Sequence, residues 1–361
     1  DYQQIDPAFG TNQHFERLTR EAAKRGIRVI PDTSLNHTGN DSLYFDRFNN
    51  HGGRGAFTGG KIHPESPYAG WYTFDPSQRE PDKQYKGWVG VVDLPELNKA
   101  SSTYRNFAYR DRDSVMKLWL DRGAAGWRMD VAPWISDDFW REWRSAIKAH
   151  RPDALTIAET WFDASKYFLG DMFDSTMNYI FRNTVQEYAA GADATKLMPN
   201  LELMREAYPR PAFYALMNLN GSHDTQRALW LLDETIPVSP SNGTAYPSAP
   251  NHYQDGQPGE EAIDNLMGYS LMQYSLPGAP QIYYGTEVGL VNPSYFHSGK
   301  WEDDPYNRAP FPWADETGTP YYTHMTDGNV VRTGLLDFFT DLGAARNAHP
   351  ALRTGEIEFS L

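Results

Sequence analysis

Cysteine is absent from these 361 residues, which excludes a disulfide framework and a thiolate zinc site while leaving the compartment open. No apolar run is long enough to span a bilayer, and no signal-peptide pattern is visible; an export signal would lie ahead of the opening Asp1-Tyr-Gln-Gln-Ile-Asp-Pro. Positive charge is in short supply. Lys and Arg number 33 against 47 Asp and Glu, and the net charge of −14 argues against a nucleic-acid phosphate backbone as partner. No long run of like charge occurs, so the acidity reads as a solvated surface. Also missing are a Gly-x-Gly-x-x-Gly phosphate cradle, a Gly-x-Ser-x-Gly nucleophile elbow and any His-x-x-x-His pair. Those gaps count against nucleotide binding, serine-hydrolase chemistry and a zinc centre. Ser222-His223-Asp224 does not rescue the hydrolase, because neighbours on an extended strand alternate faces and cannot form a relay.

What the chain does have is aromatic and apolar mass. Aromatic residues make up 14% and hydrophobic residues 40%, enough for one large α/β barrel or two modest domains. Helical spacing runs over Asn12–Arg25 and stops at Gly26. Gly26–Pro31 then reads as a buried parallel strand. From Thr38 to Asn98, Gly, Pro, Asn and rings such as Trp71, Tyr85 and Trp88 replace any sustained period, which predicts an irregular inserted domain. Alternation then resumes. Strands are predicted at Ala124–Met129, Leu155–Ala158, Thr176–Phe181, Ala215–Leu219 and Pro280–Tyr284. Helices are predicted at Asp111–Asp121, Phe139–Ala149, Val185–Tyr208 (interrupted near Pro199), Glu261–Ser275 and Leu335–Ala348. Gly355–Leu361 reads as the start of something β-like. Repeated β-α order predicts a parallel sheet with right-handed crossovers. Two turn-rich loops, Ile236–Gly259 and Val288–Pro312, are either surface decoration or a cleft rim carrying Tyr246, His252, Tyr253, Tyr295, Phe296 and Trp301, with Trp313 just beyond.

Four polar clusters follow apolar runs: Asp32-Thr-Ser-Leu-Asn36-His37, Gly126-Trp-Arg128-Met-Asp130, Ile157-Ala-Glu159-Thr-Trp161 and Asn220-Gly-Ser-His223-Asp224. In a barrel of parallel strands, C-terminal strand ends converge on one face, so clusters distant in sequence can share a site. Cleaving an acetal between sugars needs one carboxylic acid to protonate the leaving oxygen and one carboxylate beneath the developing oxocarbenium ion. Arg128 lies two residues from Asp130, on the same strand face, and favours the anion there. Glu159 sits among Ile157, Ala158 and Trp161, a setting that favours the protonated form. The plain alternatives stay open: Asp130 with Arg128 as an ordinary ion pair, and Asp32, His37 and His223-Asp224 as structural hydrogen-bonding groups. Calcium, bound by carboxylate and carbonyl oxygens, would leave little trace in sequence.

At these clusters the chain resembles the α-amylase superfamily, glycoside hydrolase family 13, most closely its neopullulanase, cyclomaltodextrinase and maltogenic-amylase subgroup. Asp32-x-x-x-Asn36-His37, Gly126-x-Arg128-x-Asp130, Glu159 and His223-Asp224 resemble the family's four conserved regions in order. Leu94-Pro-Glu-Leu-Asn98 and Gly278-Ala-Pro-Gln-Ile-Tyr-Tyr-Gly285-Thr-Glu287 are similar to two further signatures. The resemblance implies an α/β fold, a (β/α)8 TIM barrel over 1–37 and 99–348, with domain B inserted at 38–98 and a C-terminal β-domain starting at 349–361. It places the first two barrel strands, and a tyrosine stacking on the sugar, ahead of Asp1. It further implies a retaining α-glucan hydrolase cutting α-1,4 bonds, with α-1,6 bonds as an additional target open to it, and an α-glucan oligo- or polysaccharide as partner. Asp130 would be the nucleophile, Glu159 the acid/base and Asp224 the third carboxylate. Arg128 would orient Asp130, His37 and His223 would bind hydroxyls, and Trp161 would stack on a sugar face. No cofactor is needed for that chemistry. Trp134 stands where many members carry the His or Lys that follows the nucleophile by four, which leaves a structural calcium open. A transglycosylase using the same intermediate, or a non-catalytic glucan binder, is the competing reading.

Overall fold

The computed structural model describes residues 1–233, 252–254, 258–291, 294–297, 300–302, 306–314 and 331–358. Tertiary contacts divide it into two units: Asp1–Thr160 with Ala164–Thr176, and Trp161–Asp163 with Met177–Leu361. Among the described residues no helix is long and apolar enough to cross a membrane.

The first unit is organised on four adjacent parallel strands, Asp32–Thr33, Gly126–Met129, Leu155–Ala158 and Ser175–Thr176, in that order. Their register pairs Asp32 with Arg128, Arg128 with Ile157, and Ile157 with Ser175. The close approach at Gly126 admits no side chain, since a Cβ there would lie 2.1 Å from the Leu155 carbonyl oxygen. Expected over Gly26–Pro31, the first ladder instead begins at Asp32. The carbonyls of Val29 and Pro31 still accept from the Ala125 and Arg128 amides, but Pro31 has no N–H to return. Ile27, expected to be buried, is 56% exposed.

Helix Asn12–Ala23 is capped by the Thr11 hydroxyl, which accepts from the His14 amide. The helix expected at Asp111–Asp121 is Val115–Asp121, preceded by Ser102–Arg105 and a π turn, Asn106–Arg110. Helix Asp137–His150 buries Phe139, Trp140, Trp143 and Ile147, one stripe at helical spacing. Asp137 and Asp138 occupy its positive end and Lys148 and His150 its negative end. Half-buried Asp174 locks that helix to the sheet. Its carboxylate accepts from Arg144 (2.7 Å), Lys148 (2.8 Å) and the Thr156 amide (3.0 Å). Within 38–98 the elements are short: a Phe57–Thr58/Lys61–Ile62 hairpin and three 3-10 turns, Ala69–Trp71, Pro81–Lys83 and Trp88–Gly90. Its core is a ring cluster of Phe45, Phe57, Tyr72, Phe74 and Tyr85, with centroids 4.7–6.2 Å apart.

In the second unit, Met217–Leu219 and Ala279–Gln281 pair in parallel, and Gln273 on helix Glu260–Ser275 donates to the carbonyls of Asn218 and Gln281. The strand expected over Thr176–Phe181 is only Ser175–Thr176, because Asn178 ends it by capping helix Tyr179–Ala189. The next break falls at Gly191 and the cap Asp193 rather than at Pro199, which continues inside helix Ala194–Ala207. Helix Thr333–Ala348 is held by Arg346, whose guanidinium donates to the carbonyls of Tyr274, Leu276 and Gly278. Residues 252–254, 294–297 and 300–302 form an antiparallel three-stranded sheet, so parts of both turn-rich loops are regular structure. Tyr246 lies outside the described residues, as does most of the first loop. Near the C-terminus Ala351–Thr354 is a helical turn where β structure was expected, and 359–361 lie outside the described residues.

Candidate active site

The C-terminal ends of the first unit's strands carry Asp32, Asp130 and Glu159, and one guanidinium organises them. Arg128, 9% exposed, lies on strand Gly126–Met129 beside Asp32 in register. Its Nη1 donates to both oxygens of Asp32 (2.9 and 3.0 Å) and to Asp130 Oδ1 (3.1 Å). Its Nη2 lies 3.1 Å from Glu159 Oε1. Burial opposes the charge on Arg128, but the three carboxylates outweigh it and push the guanidinium above its ordinary value. Arg128 is therefore a fixed cation at any working pH.

Glu159 is buried at 5% exposure, and its Oε2 accepts from the Val131 amide at 2.7 Å. The apolar setting read from Ile157 and Ala158 is thus only part of its environment. An arginine and a backbone N–H also face it, both partners that a charged carboxylate favours. Val131 donates that N–H from a left-handed backbone (φ 43°, ψ 45°), costly for a β-branched residue by about 1–3 kcal/mol. Strain at the residue after Asp130 is thus coupled to a bond that holds Glu159.

His37 ends the cluster that begins at Asp32. Its ring stacks on Trp88 at 5.1 Å and 20°, and Trp88 meets Trp134 edge-on at 5.7 Å. Burial lowers the imidazole below its ordinary value, with Lys99 acting in the same direction and Asp130 and Glu96 opposing. Tyr2 anchors the loop below, its hydroxyl donating to the carbonyls of Ser34 (2.9 Å) and His37 (3.0 Å).

Three of the predicted site residues lie in the second unit. His223 Nε2 and Asp224 Oδ2 are 3.2 Å apart, and Arg308 Nη2 lies 3.6 Å from Asp224 Oδ1. Asn307 donates to the carbonyls of His223 (2.7 Å) and Thr225 (3.0 Å), fixing the turn that presents them. Ser222 serves that turn as well: its Oγ accepts from the Asp224 amide (3.1 Å) and from the Tyr179 hydroxyl (2.9 Å). Trp161, 43% exposed, lies face to face on buried Tyr179 at 3.6 Å and 13°.

Trp88, Lys99, Tyr2, Asn307 and Arg308 had escaped notice as site residues. Trp88 lies in the aperiodic segment, and no spacing rule pairs Arg308 with a carboxylate 84 positions earlier. Among the described residues no group of three or more His, Cys, Asp or Glu could hold a metal ion.

Residues 1–245 match the family model described as alpha amylase, catalytic domain. Amylopullulanase from Thermoanaerobacterium thermosulfurigenes is 36% identical over 385 aligned positions, covering 99% of this chain and 18% of that protein. Neopullulanase 2 from Thermoactinomyces vulgaris is 33% identical, covering 99% and 51%. The solved structure of a cyclic alpha-maltosyl-(1→6)-maltose hydrolase from Arthrobacter globiformis, in complex with that sugar, aligns with TM-score 0.73 and 29% identity over 99% of this chain and 67% of that one. The chain thus spans from about a fifth to about half of the length of these curated relatives. Its α/β organisation of parallel strands and intervening helices is that of the (β/α)8 catalytic domain, and the chain belongs to the alpha-amylase family.

Proposed function

We propose that the protein is a retaining glycoside hydrolase that cuts α-1,4 and α-1,6 glucosidic bonds in starch-like glucans, pullulan, cyclodextrins or maltooligosaccharides. The observation that carries this reading is the arrangement around Arg128, whose two terminal nitrogens reach Asp130 and Glu159 respectively. Two carboxylates drawn to one guanidinium are near enough to act on a single glycosidic bond. Names of relatives support the substrate class, since they include an amylopullulanase, a neopullulanase and a hydrolase of a sugar with a (1→6) linkage.

In this reading Asp130 attacks the anomeric carbon, oriented by the hydrogen bond it accepts from Arg128. Glu159 gives its proton to the departing oxygen, and then takes one from the water that releases the sugar. Asp224 and His223 hold sugar hydroxyls, with Arg308 lying 3.6 Å from Asp224. His37 binds a further hydroxyl and Trp161 stacks on a sugar face. Because Glu159 shares Arg128 with Asp130, the arriving sugar has to displace part of that contact before Glu159 can carry a proton.

The test uses the full-length protein, with chromatography of products from starch, pullulan, cyclodextrin and maltooligosaccharides. Glu159→Gln should lower kcat by about 10²–10⁴-fold, and Asp130→Asn should lose nearly all turnover, with melting temperatures close to that of the parent. The dependence of kcat/KM on pH should be bell-shaped, because the reaction needs one carboxyl group ionised and another protonated. Substantial maltooligosaccharide hydrolysis by either variant would remove the assignment. Products longer than the substrate, formed with excess acceptor sugar, would instead identify a transglycosylase.

A further inference from the structure

The hydrogen bonds beneath His37 specify which of its nitrogens carries the proton. Lys99 Nζ, a donor only, lies 2.9 Å from the side chain of Asn36, which fixes the atom facing it as the amide oxygen. The amide nitrogen of Asn36 therefore faces His37 Nδ1, at 3.3 Å, as a donor. The Ser34 hydroxyl also reaches Nδ1, at 3.4 Å. With donors converging on Nδ1, the ring proton belongs on Nε2, which makes no hydrogen bond among the described residues. Asn36 is fully buried and its carbonyl accepts from the Leu97 amide, so this relay has little freedom to rearrange.

Trp88 closes the ring from one face, and its backbone is built at a cost. Val89, which follows it, has φ 45°, one of four non-glycine positive-φ positions among the described residues. Gly87, which precedes it, is irreplaceable: a Cβ there would lie 2.0 Å from the Val91 carbonyl oxygen. The indole Nε1 is buried without a hydrogen-bond partner among the described residues. Strain, close backbone approach and an unmatched donor gathered at one residue mark a place where stability is exchanged for position.

We propose that Lys99, through Asn36, and Trp88, through its stacked ring, are positioning residues that lock His37 as the neutral Nε2–H tautomer, so that it donates to a substrate oxygen. This rests on the hydrolase reading for what His37 touches, and on the geometry alone for its protonation. The charges facing the ring are divided. Asp130 and Glu96 favour the imidazolium, Lys99 disfavours it, and Lys86 offsets Glu96 from 2.9 Å. Burial already disfavours the imidazolium, and a protonated Nδ1 would meet the Asn36 amide donor head-on, so burial and the relay act in the same direction.

The experiment is ¹⁵N-histidine NMR on the full-length protein, with the His37 signals assigned by their loss in His37→Ala. The parent should show the Nε2–H pattern, persisting below the ordinary imidazole midpoint. Lys99→Met should produce a mixture of tautomers, since the freed amide can turn over. Trp88→Leu, which keeps apolar volume without a ring face, should move the midpoint upward by admitting water, and Trp88→Phe should restore it. With maltooligosaccharides, Lys99→Met and Trp88→Leu should each lower kcat/KM by about 10- to 100-fold, with no further loss when combined with His37→Ala. An Nδ1–H or charged ring in the parent, an unmoved midpoint in Trp88→Leu, or losses that add to those of His37→Ala would overturn the proposal. The spectra require no substrate. A parent inactive on every α-glucan would therefore defeat the proposed function, while the tautomer would still be decided.

Discussion

Arg128 shows how much of the site depends on one side chain. It is buried, faces Asp32, Asp130 and Glu159, and neutralises a group of acids in which Glu159 has almost no access to water. Replacing it with Leu leaves that buried carboxylate without its cation, an effect of about 3–5 kcal/mol in comparable buried pairs. Arg128→Leu is therefore expected to lower the melting temperature markedly as well as abolish turnover, and thermal denaturation beside a maltooligosaccharide assay would check both. Arg128→Lys should recover part of the stability and little of the activity, because an ammonium cannot span three acceptors with a planar fork. The pairing of Arg128 with Asp130 was legible in the sequence, because residues two apart on a strand share a face. Its pairing with Glu159 was not, because that contact crosses between adjacent strands and depends on register. Nor were the contacts of Arg308 with Asp224 and of Trp88 with His37, which join turns distant in sequence.

At the scale of elements, a surface network ties the segment 102–110 to helix Asp137–His150. Glu142 accepts from Arg105, Arg110 and the Tyr109 hydroxyl, and the Arg110 guanidinium above all holds its carboxyl down to about 2 against the opposing effect of burial. Glu142 has an ordinary value near 4.5. Its folded value is the lower one, so its contribution is complete above about 4.5 and is lost as pH falls toward about 2. The group is more than one-third exposed, and screening keeps the effect below about 1 kcal/mol. Melting temperatures of Glu142→Gln and the parent should differ most above pH 5 and converge in strong acid; a gap that widens on acidification would contradict this account. Strand Leu155–Ala158 and helix Asp137–His150 were legible within two residues, because period and capping are local properties. The strand read at Thr176–Phe181 was not, because Asn178 reaches the Phe181 amide and Asn218 at once, and only the second contact is distant in sequence.

For the molecule as a whole, a ligand that engages the site only in the folded state must stabilise it by mass action. An aminosugar oligosaccharide that mimics the charged transition state is expected to raise the melting temperature of the full-length protein. At 100 times its dissociation constant the gain is about 2.7 kcal/mol. Asp130→Asn should keep most of that shift, since it removes the nucleophile and leaves the other binding groups, and calorimetric scans of both proteins would test it. A missing shift in the parent would argue that the site does not bind α-glucans. By itself the sequence determined the family and much of the order of strands and helices, and it singled out the acids, histidines and arginine proposed for the chemistry, because period, capping and short motifs are written in neighbouring residues. The tertiary structure alone decided that Arg128 serves three carboxylates, that Glu159 shares its cation with Asp130, and that Trp88 and Lys99 govern His37. Those relations join residues tens of positions apart, and no local rule encodes the packing and strand register that bring them within a few ångströms.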